Sequence, residues 1–144
     1  MGANLGLGGI VISMTVLVHT IGLIVLSWTI VRLIEWSRQR GYTVPRTFAL
    51  VPAVLGLFLI LTVEVWMWAV FYKLLGVTTT FEESLYFSTV TFSTVGFGDV
   101  VPAHGWRLFS ALEGINGFLM IGWSTAYLVA ASTRHGPFRA GEHF

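Results

Sequence analysis

The stretch STVGFGD, residues Ser93–Asp99, lies between apolar segments and suits neither a helix nor a strand. Two glycines flank an aromatic ring, a Thr-Val pair precedes them and an acid follows. The surrounding chain is strongly lipophilic: 55% of its 144 residues are hydrophobic and 10% are charged, against about 25% charged in soluble domains. Irregular backbone at membrane depth is tolerated only where protein buries it or where it lines water. The placement of this stretch therefore decides the fold.

Working outward, Thr80-Phe81-Glu82-Glu83 has the S/T-x-x-E form of a capping box, which predicts a short helix over residues 80–93. At 1.5 Å per residue such a helix reaches about 20 Å, short of the roughly 30 Å hydrocarbon core. Longer apolar runs flank it. Residues 48–75 precede it, with Pro52 in the first turns and Gly76 at the end, and residues 105–131 follow. A further apolar run, 7–31, comes first and is followed by RLIEWSRQRGYTVPR, whose Gly41 and Pro45 mark a loop. The tail, 132–144, is short and polar. The expected fold is an all-α membrane protein in one transmembrane domain. It has three spanning helices, plus a short helix and an irregular segment, 94–99, that re-enter from one side. No internal repeat is visible. MGANLGLGG lacks the basic start of a signal peptide, so the first segment is expected to be retained.

Arginine placement suggests an orientation. Arg32, Arg38, Arg40, Arg46, Arg134 and Arg139 fall on one side, against Lys73 and Arg107 on the other. By the enrichment of basic residues in cytoplasmic loops, the N-terminus is expected outside and the C-terminus inside, with the cell membrane as the location.

A glycine-rich loop preceded by a short helix can turn successive carbonyls toward one axis. Carbonyls so placed replace the hydration shell of a cation. Thr94-Val95-Gly96-Phe97-Gly98-Asp99 resembles the selectivity-filter signature of potassium channels. The similarity extends back through Ser84-Leu85-Tyr86-Phe87-Ser88-Thr89-Val90-Thr91 and forward through Pro102. With Gly122-Trp123-Ser124-Thr125, it resembles small bacterial members of the two-transmembrane P-loop family carrying one extra N-terminal helix. The resemblance implies a homotetramer among membrane lipids, because one filter copy per chain cannot close a ring. It also implies K+ as the permeant ion at Thr94, Val95, Gly96 and Phe97, with Gly98 completing the signature. Asp99, Tyr86 and Phe87 are implied as filter support: Tyr86 would bond Asp99, and Phe97 would pair with Phe87 in place of the tyrosine–tryptophan pair common in relatives. Gly117 matches the usual gating hinge, with Gly114 and Gly122 as alternatives. Leu119, Gly122, Ala126 and Ala130 follow the cavity-facing positions.

Other residues carry competing readings. Glu64 and Glu113 fall inside spanning segments, where an acid marks function by default. They are read either as a proton-sensitive or filter-supporting pair behind the short helix or as separate hydrogen-bond partners of nearby Ser, Thr, Asn or Trp, with Asn116 suggested for Glu113. Glycines 114, 117 and 122 could equally serve close helix packing. Trp28, Trp36, Trp66, Trp68, Trp106 and Tyr72 are read as interface anchors, His19 as a packing hydrogen bond and His104 as a loop residue. The absence of cysteine excludes disulfides and thiol chemistry. No catalytic motif, cofactor site or phosphate loop is present, and a net charge of +1 gives no reason to expect nucleic acid or a soluble ligand. With no arginine-ladder helix and no soluble domain in view, neither voltage nor a cytoplasmic nucleotide is expected as the main gate. A potassium-selective channel is therefore expected, with a weakly selective cation channel or a non-conducting membrane subunit as alternatives.

Overall fold

A computed structural model describes residues 2–40 and 50–135. Its elements are α1 (Gly2–Gln39), α2 (Leu50–Leu74), α3 (Phe81–Phe92), a single 3-10 turn at His104–Trp106, and α4 (Arg107–His135). No strand occurs among the described residues. Three helical segments are long and apolar enough to cross a membrane: α1, α2 and His104–Arg134. With 12 residues, α3 is not; at 1.5 Å per residue it spans about 18 Å.

Two helices outrun their apolar segments. Where the loop was expected to begin at Arg32, α1 continues to Gln39. Arg32, Leu33, Glu35, Arg38 and Gln39 are good helix formers, and no glycine or proline intervenes before Gly41. At 38 residues the helix is about 57 Å long, so its C-terminal turns reach past a hydrocarbon core of about 30 Å. Likewise α4 continues past Ala131 to His135, through the start of the expected tail. Gly41, Pro45, Arg46 and Arg139, used above for the loops and the orientation, lie outside the described residues.

The end of α2 shows its mechanism directly. Gly76 adopts φ +65°, its N–H donates to Lys73 O, and the Val77 N–H donates to Tyr72 O. This closing pattern needs a residue without a Cβ penalty in the left-handed region. The chain then re-enters at once as α3. Thr80 Oγ1 accepts from the Glu83 N–H at 3.1 Å. Glu83 Oε2 reaches back to accept from the N–H and hydroxyl of Thr79, at 2.8 and 2.7 Å, one residue earlier than in the standard box.

The helices pack as one bundle, with α1 against α2 and α4, and α3 wedged between α2 and α4. Two cores fill it. Around α3 lie Val11, Trp68, Tyr72, Phe87, Phe92, Phe109 and Met120. At the other end lie Leu23, Leu26, Ile30, Ala53 and Leu57. Trp68 and Tyr72, expected at the interface, are instead fully buried and pack on Phe109. Glycines let α1 approach: a Cβ at Gly8 would lie 2.5 Å from Leu112 Cδ1, one at Gly22 2.8 Å from Ile60 Cγ1, and one at Gly56 2.3 Å from Leu26 Cδ1. Small residues at such contacts are the usual means of membrane-helix packing.

Candidate functional site

The site is built on the last turn of α3. Ser93 caps that helix, the Thr94 N–H donates to Thr91 O, and the Gly96 N–H reaches back to Val90 O at 3.0 Å. The backbone then alternates: Thr94, Gly96 and Gly98 have φ of 61°, 52° and 79°, while Val95 and Phe97 do not have positive φ. A positive φ is ordinary for glycine and disfavoured for threonine. Such alternation turns successive peptide units in a way that neither helix nor strand allows. All six residues from Thr94 to Asp99 are exposed in the single chain. Val95 is 55% and Phe97 70% exposed, so two apolar side chains beside the backbone oxygens are left largely uncovered by the described residues.

Beyond the glycines, the Tyr86 hydroxyl donates to Asp99 Oδ2 at 2.7 Å, and Asp99 Oδ1 accepts from the Val100 N–H. The Tyr86 bond comes first among the causes that hold the Asp99 carboxyl below its ordinary range, and it raises the tyrosine in turn. Phe87 is 5% exposed and packs edge-on against Tyr72 at 4.9 Å between centroids. Phe97 makes no ring contact among the described residues, so no Phe97–Phe87 pair forms within one chain. Phe87 does line an open groove of about 400 Å³, together with Thr94, Gly96, Pro102, Arg107 and Gly114.

The three α4 glycines occupy different surroundings. The helix runs unbroken through all of them. A Cβ at Gly117 would lie 2.0 Å from Phe92 O and 2.8 Å from Phe92 Cα, so this glycine is where α4 touches the backbone at the end of α3. Gly114 would make only an ordinary contact with Thr91 O at 3.7 Å, and Gly122 faces open space. Leu119, Gly122, Ala126 and Ala130 are exposed and fall on one helical stripe with Ile115.

The two buried acids do not form a pair. Glu64 Oε1 lies 2.8 Å from His19 Nδ1, with both side chains fully buried, and His19 stacks obliquely on Trp123 at 5.2 Å. Glu113 receives the Ser88 hydroxyl on Oε1 at 2.6 Å and the Tyr72 hydroxyl on Oε2. Asn116 is not its partner; the Asn116 amide is buried with no hydrogen bond to the described residues. Ser88, Tyr72 and the carbonyl of Phe92 were not singled out from the sequence as support for the loop. The usable signal was the need of any intramembrane acid for donors, but spacing alone does not choose among the many hydroxyls.

No metal-ligand cluster of His, Cys, Asp and Glu exists among the described residues. The arrangement offers instead backbone oxygens on an exposed loop that directly follows the partly negative C-terminal end of a short helix. No curated protein and no solved structure matches the chain. A family model described as "ion channel" matches residues 58–134, more than half of the chain, taking in most of α2, all of α3, the loop and nearly all of α4 and leaving α1 outside. With three helices able to cross a bilayer, the chain is an integral membrane protein and belongs to this ion-channel family.

Proposed function

We propose that the chain is one subunit of a fourfold-symmetric, potassium-selective channel in the cell membrane, with Thr94, Val95, Gly96 and Phe97 carbonyls forming the ion path. The observation that carries this reading is the alternation of left-handed residues at 94, 96 and 98 in an exposed loop. Repeated turning of peptide units is what a ring of inward carbonyls requires, and four copies would cover the exposed Val95 and Phe97. In that assembly Phe97 of one subunit enters the groove beside Phe87 of the next. The exposed stripe of Ile115, Leu119, Gly122, Ala126 and Ala130 lines the cavity or the neighbouring subunit. α1 lies at the periphery, outside the family match. The N-terminus faces out, and the arginine-rich ends, including Arg38, Arg40 and Arg134, face the cytoplasm.

Purified protein in liposomes tests this directly. Potassium flux well above sodium flux, from particles of tetramer mass, is the expected result. Equal fluxes select the weakly selective cation channel, a reading favoured by Phe97, which lacks a hydroxyl and makes no ring contact among the described residues. Absence of flux from correctly assembled tetramers would leave the non-conducting subunit.

A further inference from the structure

Glu113 and Gly117 lie one turn apart on α4, and Ser88 and Phe92 lie one turn apart on α3. They meet as two matched contacts: the Ser88 hydroxyl on Glu113 Oε1 at 2.6 Å, and the Gly117 Cα against the Phe92 carbonyl. We propose that Glu113 is a positioning residue for the conducting loop, fixing α3 at one point of a two-point mount whose other point is Gly117. The role rests on the reading of residues 94–99 as the conducting segment.

Three features make the contact more than general adhesion between helices. First, the carboxylate joins three helices: Oε1 takes Ser88 of α3 and Oε2 takes Tyr72 of α2, while the backbone of Glu113 belongs to α4. The Ser88 hydroxyl is also 2.9 Å from Val65 O on α2, so its single proton has an acceptor on each side. Second, Glu113, Ser88 and Tyr72 are fully buried, which leaves no water to substitute for a lost partner. Third, the loop hangs from the turn that the mount holds. The Thr94 and Gly96 N–H groups bond to Thr91 O and Val90 O, between and beside residues 88 and 92. A displacement of α3 therefore moves the loop with it. Gly117 sets how close α4 can come, and Glu113 sets the position of α3 along α4.

The experiment uses full-length protein in lipid bilayers and two readouts: amide hydrogen exchange in the segment 93–99 and the ratio of potassium to sodium flux. Glu113→Ala should raise exchange in that segment about tenfold, the factor that corresponds to roughly 1.4 kcal/mol. Glu113→Gln keeps one acceptor and should give a smaller rise. Ser88→Ala should resemble Glu113→Ala, and Tyr72→Phe, which spares the tie to α3, should fall below both. Flux ratios should decline in the same order. Glu64→Gln, an equally buried acid whose side chain bonds His19 of α1, should leave both readouts near wild type. If Glu113→Ala does not assemble, Glu113→Gln and Ser88→Ala carry the test. Unchanged exchange in those two variants, or an equal rise in Glu64→Gln, overturns the proposal. Wild-type protein that passes both ions equally overturns the potassium reading alone, because hydrogen exchange still decides whether Glu113 holds the loop.

Discussion

Glu113 and Glu64 are both fully buried carboxylates on spanning helices, yet they tie together different parts of the molecule. Around Glu113 the short helix α3 is secured by polar groups: Ser88 and Tyr72 on the acid, Thr78 on Ser84, Thr79 on Glu83, and Tyr86 on Asp99. Around Glu64 the long helix α1 is secured chiefly by shape, with glycines at 8, 22 and 56 receiving leucine and isoleucine side chains, and His19–Glu64 adds a fully buried hydrogen bond. The difference follows from length. A 12-residue helix buries too little apolar surface in lipid to be held by it. A 38-residue helix needs only a close-fitting face, since lipid tails are as apolar as its own side chains. The comparison teaches that polar side chains are added to packing at the site, whereas packing dominates in its scaffold.

The largest effect that could break this division is on the scaffold side. His19→Ala leaves the Glu64 carboxyl buried without its partner, and leaving such a group unsatisfied costs about 1–3 kcal/mol, more when it is charged. Unfolding in a denaturing detergent should show that loss while the potassium-to-sodium flux ratio stays unchanged; a changed ratio would mean that α1 reaches the site. Gly117→Ala comes next. Its methyl group would enter the Phe92 backbone, which cannot swing aside as a side chain does, at a cost of about 1–3 kcal/mol or somewhat more. Flux should fall at least tenfold, with Gly122→Ala near wild type. If Gly122→Ala is the damaging change, then flexing of α4 outweighs its contact with α3.

Third, Thr80→Ala removes the acceptor for the Glu83 N–H, and loss of a helix N-cap costs about 1 kcal/mol. Hydrogen exchange should rise over the first turn of α3 and not in α1. The smallest effect concerns Asp99. Its pKa is lowered from the ordinary 3.8, chiefly by the Tyr86 hydroxyl. Because the pKa is depressed in the folded state, the stabilisation is full above the ordinary value and is lost as pH falls through the lower one. Tyr86→Phe should therefore move the acid-induced loss of flux to a higher external pH. An unmoved acid limb would place the controlling group elsewhere.

What the sequence made legible follows from the range of each interaction. The three long helices were plain from apolar runs, and the start of α3 from Thr80 and Glu83, because these signals are local. Helix ends at Gln39 and His135 were not, since the apolar run marks the extent of the lipid and the helix continues wherever no breaker intervenes. Pairings across the bundle were hidden for another reason. His19 and Glu64 are 45 positions apart, and Ser88 and Glu113 are 25; each acid announced a need for donors without naming them. Trp68 and Tyr72 misled because an aromatic near a helix end suits both an interface and a core, and only the neighbouring Phe109 decides between them.

The His19–Glu64 pair also has a consequence for synthesis. Ribosomes add about 5–20 residues per second, so His19 is made roughly two to nine seconds before the acid that will face it, 45 residues later. Throughout that interval α1 can already occupy the insertion machinery or the bilayer, carrying an imidazole with no carboxylate to meet. The docking of α2 against α1 is therefore the step of biogenesis at which this buried imidazole first gains its partner.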